Sequence, residues 1–167
     1  MPVITEPRWL TDSEQGAWRA YLAGSRLLTL HLERELQKHG LSMSDYEILV
    51  HLSESPERRL RMSELARATL LEKSRLSHQI TRMERDSLVA RESCPGDRRG
   101  QYAVLTPTGL ETIERVAPFH VAEVRRRLFD LITPEQLAAL QETFALVADR
   151  IQHSPACVEA ERALADE

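Results

Sequence analysis

The sequence predicts a mainly α-helical chain carrying one small β-hairpin. Three observations lead there. Aromatic residues make up only 5% of the 167, so a core has to be built from Leu, Ile, Val, Met and Ala, which favour helices at three- and four-residue spacing. Two proline-bearing helix starts and three serine- or threonine-led ones punctuate the chain, and a single pair of β-compatible runs flanks a proline–glycine turn. Hydrophobic residues at 42%, charged residues at 29%, 8 Pro and 6 Gly fit one folded domain, or one subunit that completes its core by pairing.

Thr11 and Glu14 form a capping box that opens a long helix over residues 11–39. Trp18, Leu22, Leu28, Leu32 and Leu36 fall mainly on one stripe of it, so the helix needs a partner surface, and Gly40 ends it. Ser42 or Ser44 caps a second helix bearing Tyr46, Ile48, Leu49 and Leu52, which stops near Ser55-Pro56 because the residue before proline resists the helical region. A charged stretch, 57–61, leads to a short helix over Met62 to Ala68 with Ser63 as the expected N-cap.

The next helix, over Glu72 to Asp86, puts Leu76, Ile80 and Met83 on one face, so Arg75, His78, Gln79, Arg82 and Arg85 point largely away. Leu88 to Cys94 and Gln101 to Thr106 read as the strands of a hairpin around residues 95–100, with Arg98 and Arg99 near its tip. Thr106-Pro107 starts a helix with Leu110, Ile113, Ala117, Val121, Val124, Leu128 and Leu131 in register, which Pro118 should kink. Thr133-Pro134 repeats the signal, with Gln136 placed for a capping box and Leu137, Leu140, Phe144, Val147 and Ile151 as the stripe. Residues 152–167 are expected to be a frayed tail, or helical only against a partner.

Net charge is −4, but unevenly spread: eleven Arg/Lys against seven Asp/Glu between Pro56 and Tyr102 give that segment +4 and the remainder −8. A basic middle between acidic ends suits a nucleic-acid reader on a dimerising scaffold, the alternative being a solvated surface with chance clustering. A short helix, a turn, a second helix with a basic face and an arginine-tipped hairpin together describe a winged helix-turn-helix. The major groove of double-stranded DNA admits such a helix, and a hairpin arginine suits the adjacent minor groove.

Other classes find no support. Cys94 and Cys157 match neither a metal spacing nor a disulfide framework, which favours a reducing compartment. Met1 to Leu10 carries no basic patch followed by an apolar run, and no apolar stretch is long enough to cross a bilayer, so a cytoplasmic protein without a membrane partner is expected. No nucleophile–base–orienter set or glycine-rich phosphate loop appears, so neither an enzyme nor a cofactor is expected. His31, Glu35 and His39 share a helical face, but no nearby Cys or second His–carboxylate set completes a tetrahedral metal site.

The residues resemble a known family, the multiple antibiotic resistance regulators (MarR family) of bacterial transcription factors, over roughly Asp12 to Ile151. The most specific match is Asp97-Arg98-Arg99-Gly100 followed by Leu105-Thr106-Pro107-Thr108-Gly109, which is similar to the family's wing signature. Leu41-Ser42, Tyr46-Glu47-Ile48-Leu49, Ser63-Glu64-Leu65-Ala66, Leu88-Val89 and Arg91 support it. The resemblance implies a single domain over 1–167, in which helices at 11–40 and 107–151 join two copies as a homodimer and residues 42–106 form the DNA-binding lobe.

It further implies that Ser74, Arg75, Ser77, His78 and Thr81 read the major groove. Ser63 and Lys73 would serve phosphates, Arg99 beside Arg98 would enter the minor groove, and Asp97 would orient the wing through ion pairing. Arg82 is divided between DNA and a structural role, and Arg75, Arg82 and Arg85 have Glu72, Glu84 and Asp86 as alternative partners on an exposed helix. Trp18, Tyr21, Tyr46, His51 and His120 lie on helices that border the family's small-molecule pocket, which implies a small aromatic or anionic effector. Two positions depart from the family: His78 stands where Arg is frequent, and Ser87 where Gly is. The function implied is a repressor that binds a pseudo-palindrome and is released by its effector. A winged-helix module binding acidic protein surfaces is the alternative.

Overall fold

The structure, a computed structural model, describes residues 7–153. Cys157 and most of the expected tail lie outside them. The chain divides into two compact units, Met1–Glu123 and Val124–Glu167.

The first unit begins with α1, Asp12–Gln37, whose Thr11–Glu14 capping box is present as the sequence predicts. Helix α2, Met43–Glu54, starts on Ser42, the first of the two serines considered, with Asp45 completing a second capping box. Strand β1, Arg59–Arg61, follows, then α3 (Met62–Ala68), α4 (Lys73–Arg85), β2 (Val89–Cys94), β3 (Asp97–Leu105) and α5 (Pro107–Arg127), which crosses into the second unit. The second unit holds a 3₁₀ turn, Phe129–Leu131, and α6, Pro134–Gln152, opened by the Thr133–Gln136 capping box. No helix of the described residues is long and apolar enough to cross a membrane.

Four expectations need correction. The hairpin is part of a three-stranded antiparallel sheet in the order β1-β3-β2, with Leu60 opposite Ala103. Arg59-Leu60-Arg61 alternates with period two, a strand signal that its charges obscured. The turn is also tighter than the 95–100 loop: β3 already begins at Asp97, and Gly96 takes a left-handed φ of 80°. The ladder then jumps from Ser93 opposite Gln101 to Cys94 opposite Asp97, so Arg98 and Arg99 lie in an irregular strand end, not a loop tip.

Third, Ser63 is not an N-cap. Helix α3 starts at Met62, ahead of Ser63, with Arg61 as its N-cap, and Glu64 accepts the Arg61 backbone N–H at 3.1 Å. Fourth, the helix expected to reach Leu131 ends at Arg127, although it runs unbroken through Pro118.

The core of the first unit lies under α4 and the sheet. Leu36, Ile48, Leu49, Leu52, Leu65, Leu76, Ile80, Met83 and Val116 are sealed there, including the three α4 residues that the spacing assigned inward. Polar ties set the helices around it: Glu33 accepts the Met43 N–H at 2.7 Å, and His31 Nε2 meets Glu123 Oε2 at 2.7 Å. Ser87 closes α4 in the left-handed region, φ 58°, where a Cβ is disfavoured and Gly is not. Ser87→Gly is therefore expected to raise stability by about 0.5–1 kcal/mol, read as a higher urea midpoint at unchanged slope.

In the second unit α6 buries none of its residues, and Leu137, Phe144, Leu146, Val147 and Ile151 are all exposed. A 19-residue helix with an apolar stripe and nothing buried presents a face that a partner has to cover.

Candidate nucleic-acid interface

With Leu76, Ile80 and Met83 inward, α4 presents Lys73, Ser74, Arg75, Ser77 and His78 to solvent, while Thr81 is half-buried. Ser63 is exposed on α3. The side chains of Arg98 and Arg99 lie outside the described part of the structure. A cleft of about 340 Å³ separates α4 and α3 from the wing, and Ser63, Lys73, Ser77 and Asp97 all line it. Four of the residues singled out from the sequence thus meet at one place.

Asp97 does pair: its Oδ2 lies 3.2 Å from Arg61 Nη1, and its Oδ1 accepts the Gly100 N–H at 3.0 Å. Gly100 is required by that arrangement, because a Cβ there would lie 2.8 Å from Asp97 Cγ. Arg61 was missed by sequence reasoning, since β1 was. Hydrogen bonding to Tyr102, chiefly, pushes the Arg61 pKa further up, so it stays cationic.

Arg82 is tied to structure. Its Nη2 donates to both oxygens of Asp45 at 3.0 Å, and Gln79 donates to the same carboxylate, which is buried. Asp45 also accepts the Ser42 N–H at 2.9 Å, so one side chain caps α2 and clamps α4 onto it. Arg91 does a similar job from the sheet: it ion-pairs with Glu84 and donates to Ser77 O at 2.7 Å and Thr81 Oγ1 at 3.0 Å. The hydroxyl of Thr81 is therefore held by the wing, which sets α4 and β2 in one register.

Four of the five effector candidates fall into two separate ring contacts, and His51 is half-buried on α2. Trp18 and Tyr21 stack at 5.6 Å on α1, half-exposed, whereas Tyr46 is buried against His120 with centroids 4.2 Å apart. A cavity of about 130 Å³ is lined by Glu35, Leu36, His39, Phe119, His120, Ala122 and Glu123, so of the five only His120 reaches it. His31 pairs with Glu123 and Glu35 with Lys38, and no His/Cys/Asp/Glu group able to hold a metal occurs among the described residues.

His120 Nδ1 is buried and makes no hydrogen bond among the described residues, and burial pushes the ring's pKa below the usual 6.5. The folded state then resists a proton that the unfolded chain accepts. Stability is full above pH of about 6.5 and falls as the pH drops towards the folded-state value. His120→Phe should flatten that acid limb, measured by urea unfolding between pH 7 and pH 5, in roughly one-unit steps.

Comparison with known proteins decides what this surface belongs to. The MarR family model matches residues 39–100, from the end of α1 to the wing. The crystal structure of AbsC, a MarR family transcriptional regulator from Streptomyces coelicolor, is 57% identical, covers 89% of this chain and 100% of that one, and superposes with a TM-score of 0.86. This chain belongs to the MarR family. A second family member from the same organism, Sco3205, solved in complex with DNA, is 47% identical over 91% of this chain and 95% of its own, with a TM-score of 0.87. The transcriptional repressor IacR of Pseudomonas putida is 27% identical over 135 residues, 81% of this chain and 78% of IacR. Like other MarR proteins, this one is a DNA-binding transcriptional regulator with a winged helix-turn-helix, and its relatives are transcriptional regulators.

Proposed function

We propose that the protein is a repressor that binds a pseudo-palindromic operator as a homodimer, with the exposed face of α4 in the major groove. The observation that carries this reading is the convergence of α4, Ser63, Lys73 and Asp97 on one cleft beside the wing. Ser74, Arg75, Ser77 and His78 are the base readers, Ser63 and Lys73 serve phosphates, and Arg99, beside Arg98, enters the minor groove. Thr81 supports the reading face through Arg91, and Arg82 through Asp45. Residues 42–106 act as the reading lobe, within one domain whose α1, α5 and α6 apolar faces are covered by a second copy. Two-fold symmetry then places the half-sites about 10 base pairs apart.

A small aromatic or anionic effector releases the operator by favouring a dimer geometry in which the two α4 helices no longer match that spacing. The chain works in the cytoplasm, where its DNA is. The cavity beside His120 supports the effector reading, because its lining combines the Phe119 and His39 rings, stacked at 5.0 Å, with polar groups.

Selection of bound sites from random duplexes tests the operator reading, and sedimentation tests the dimer. A recovered palindrome with Kd falling on the order of 10³-fold between 200 and 50 mM salt supports it, if about six phosphates are neutralised. Arg75→Ala should then weaken binding by about 1–3 kcal/mol and relax preference at one base position. Binding that never exceeds that of random DNA would instead favour a module for acidic protein surfaces.

A further inference from the structure

We propose that Arg61, on β1, grips a backbone phosphate of the bound duplex, from the wing side of the cleft that Lys73 and Ser63 line from the helix side. The inference deepens the DNA-binding reading and rests on it. Arg61 ends β1 opposite Tyr102, and its backbone N–H is held by Glu64, so the residue sits at a fixed corner between sheet and α3. Its guanidinium is aimed from two sides: Asp97 Oδ2 at 3.2 Å, and the Tyr102 ring, whose centroid is 5.8 Å from the guanidinium carbon.

Both oxygens of Asp97 are engaged, one by Arg61 and one by the Gly100 N–H. A guanidinium has five N–H donors, and the bonds to Asp97 and Tyr102 leave others in the plane and fork geometry that phosphate oxygens match. The pair does little for stability, because each side chain keeps 43% of its exposure and exposed ion pairs contribute little. Its effect is to hold the cation at the mouth of a cleft of about 340 Å³, roughly ten times the volume share of a water molecule. Arg61 and Lys73 outweigh Asp97 there, so the cleft favours an anion.

Arg59 provides the internal control. It is on the same strand and lies over the same Tyr102 ring, 5.0 Å from its centroid, but it pairs with Glu57 and Glu92 and is not part of the cleft. Loss of one charge is common to both substitutions; loss of a phosphate contact is expected of only one.

The test is the salt dependence of binding to a duplex recovered by selection, for wild type, Arg61→Ala, Arg61→Lys and Arg59→Ala. Each neutralised phosphate contributes about 0.9 to the slope of log K against log salt, so a dimer losing two such contacts should drop by about 1.8. Arg61→Ala should show that drop, Arg59→Ala should keep the wild-type slope, and Arg61→Lys should keep the slope with weaker binding, since a point charge lacks the fork. An unchanged slope in Arg61→Ala, or equal drops in the two alanine variants, would overturn the role of Arg61 while leaving the operator reading intact. A wild-type chain that selects no duplex overturns both.

Discussion

Asp45→Ala is expected to destabilise the DNA-binding lobe by about 2–3 kcal/mol and to weaken operator binding with it. The Asp45 side chain is only 9% exposed, and its carboxylate accepts from Ser42 twice, from Gln79 and from Arg82. Removing the capping box costs about 1 kcal/mol, and stranding Gln79 and the Ser42 N–H adds a similar amount. The Arg82 share is smaller, because its side chain is 54% exposed and water replaces the lost partner. DNA affinity follows because α4 loses the contact that fixes its roll on α2. Urea unfolding and operator titration of the same variant check both parts, and a stability loss below about 0.5 kcal/mol would show that solvent already screens the carboxylate. Asp45→Asn should fall between, since it removes the charge but keeps an acceptor for the cap.

Gly109→Ala should cost about 1–3 kcal/mol, towards the upper end. A Cβ built on Gly109 overlaps the backbone carbonyl of Leu88 and lies 2.7 Å from Leu105 Cδ1. That carbonyl cannot retreat cheaply, because it accepts both the Thr106 N–H at 3.2 Å and the Thr106 hydroxyl at 3.0 Å, the junction where the sheet hands over to α5. Gly24→Ala is the contrasting case: nothing lies within 4 Å of its added Cβ, and in the interior of α1 alanine should stabilise by about 0.5–1 kcal/mol. One substitution type should thus change sign within one chain. Equal thermal midpoints for Gly109→Ala and Gly24→Ala would refute the steric argument.

The sequence by itself determined the helices, because their signals are local. Thr11, Ser42 and Thr133 each cap within four residues, and the Leu76–Ile80–Met83 spacing puts an apolar face on one side of a single helix whatever surrounds it. It also identified the outward residues of α4, as the complement of that face. What only the tertiary structure decided were the partners contributed by distant segments. Strand β1 exists because β3 offers it a ladder some forty residues later in the chain, and pairing of that kind leaves little mark on three residues of which two are charged. Arg82 turned from the reading face to Asp45, and Arg61 came to Asp97, for the same reason: a charged side chain's spacing along its own helix or strand says where it points, but its partner is chosen by whichever opposite charge packing brings within reach.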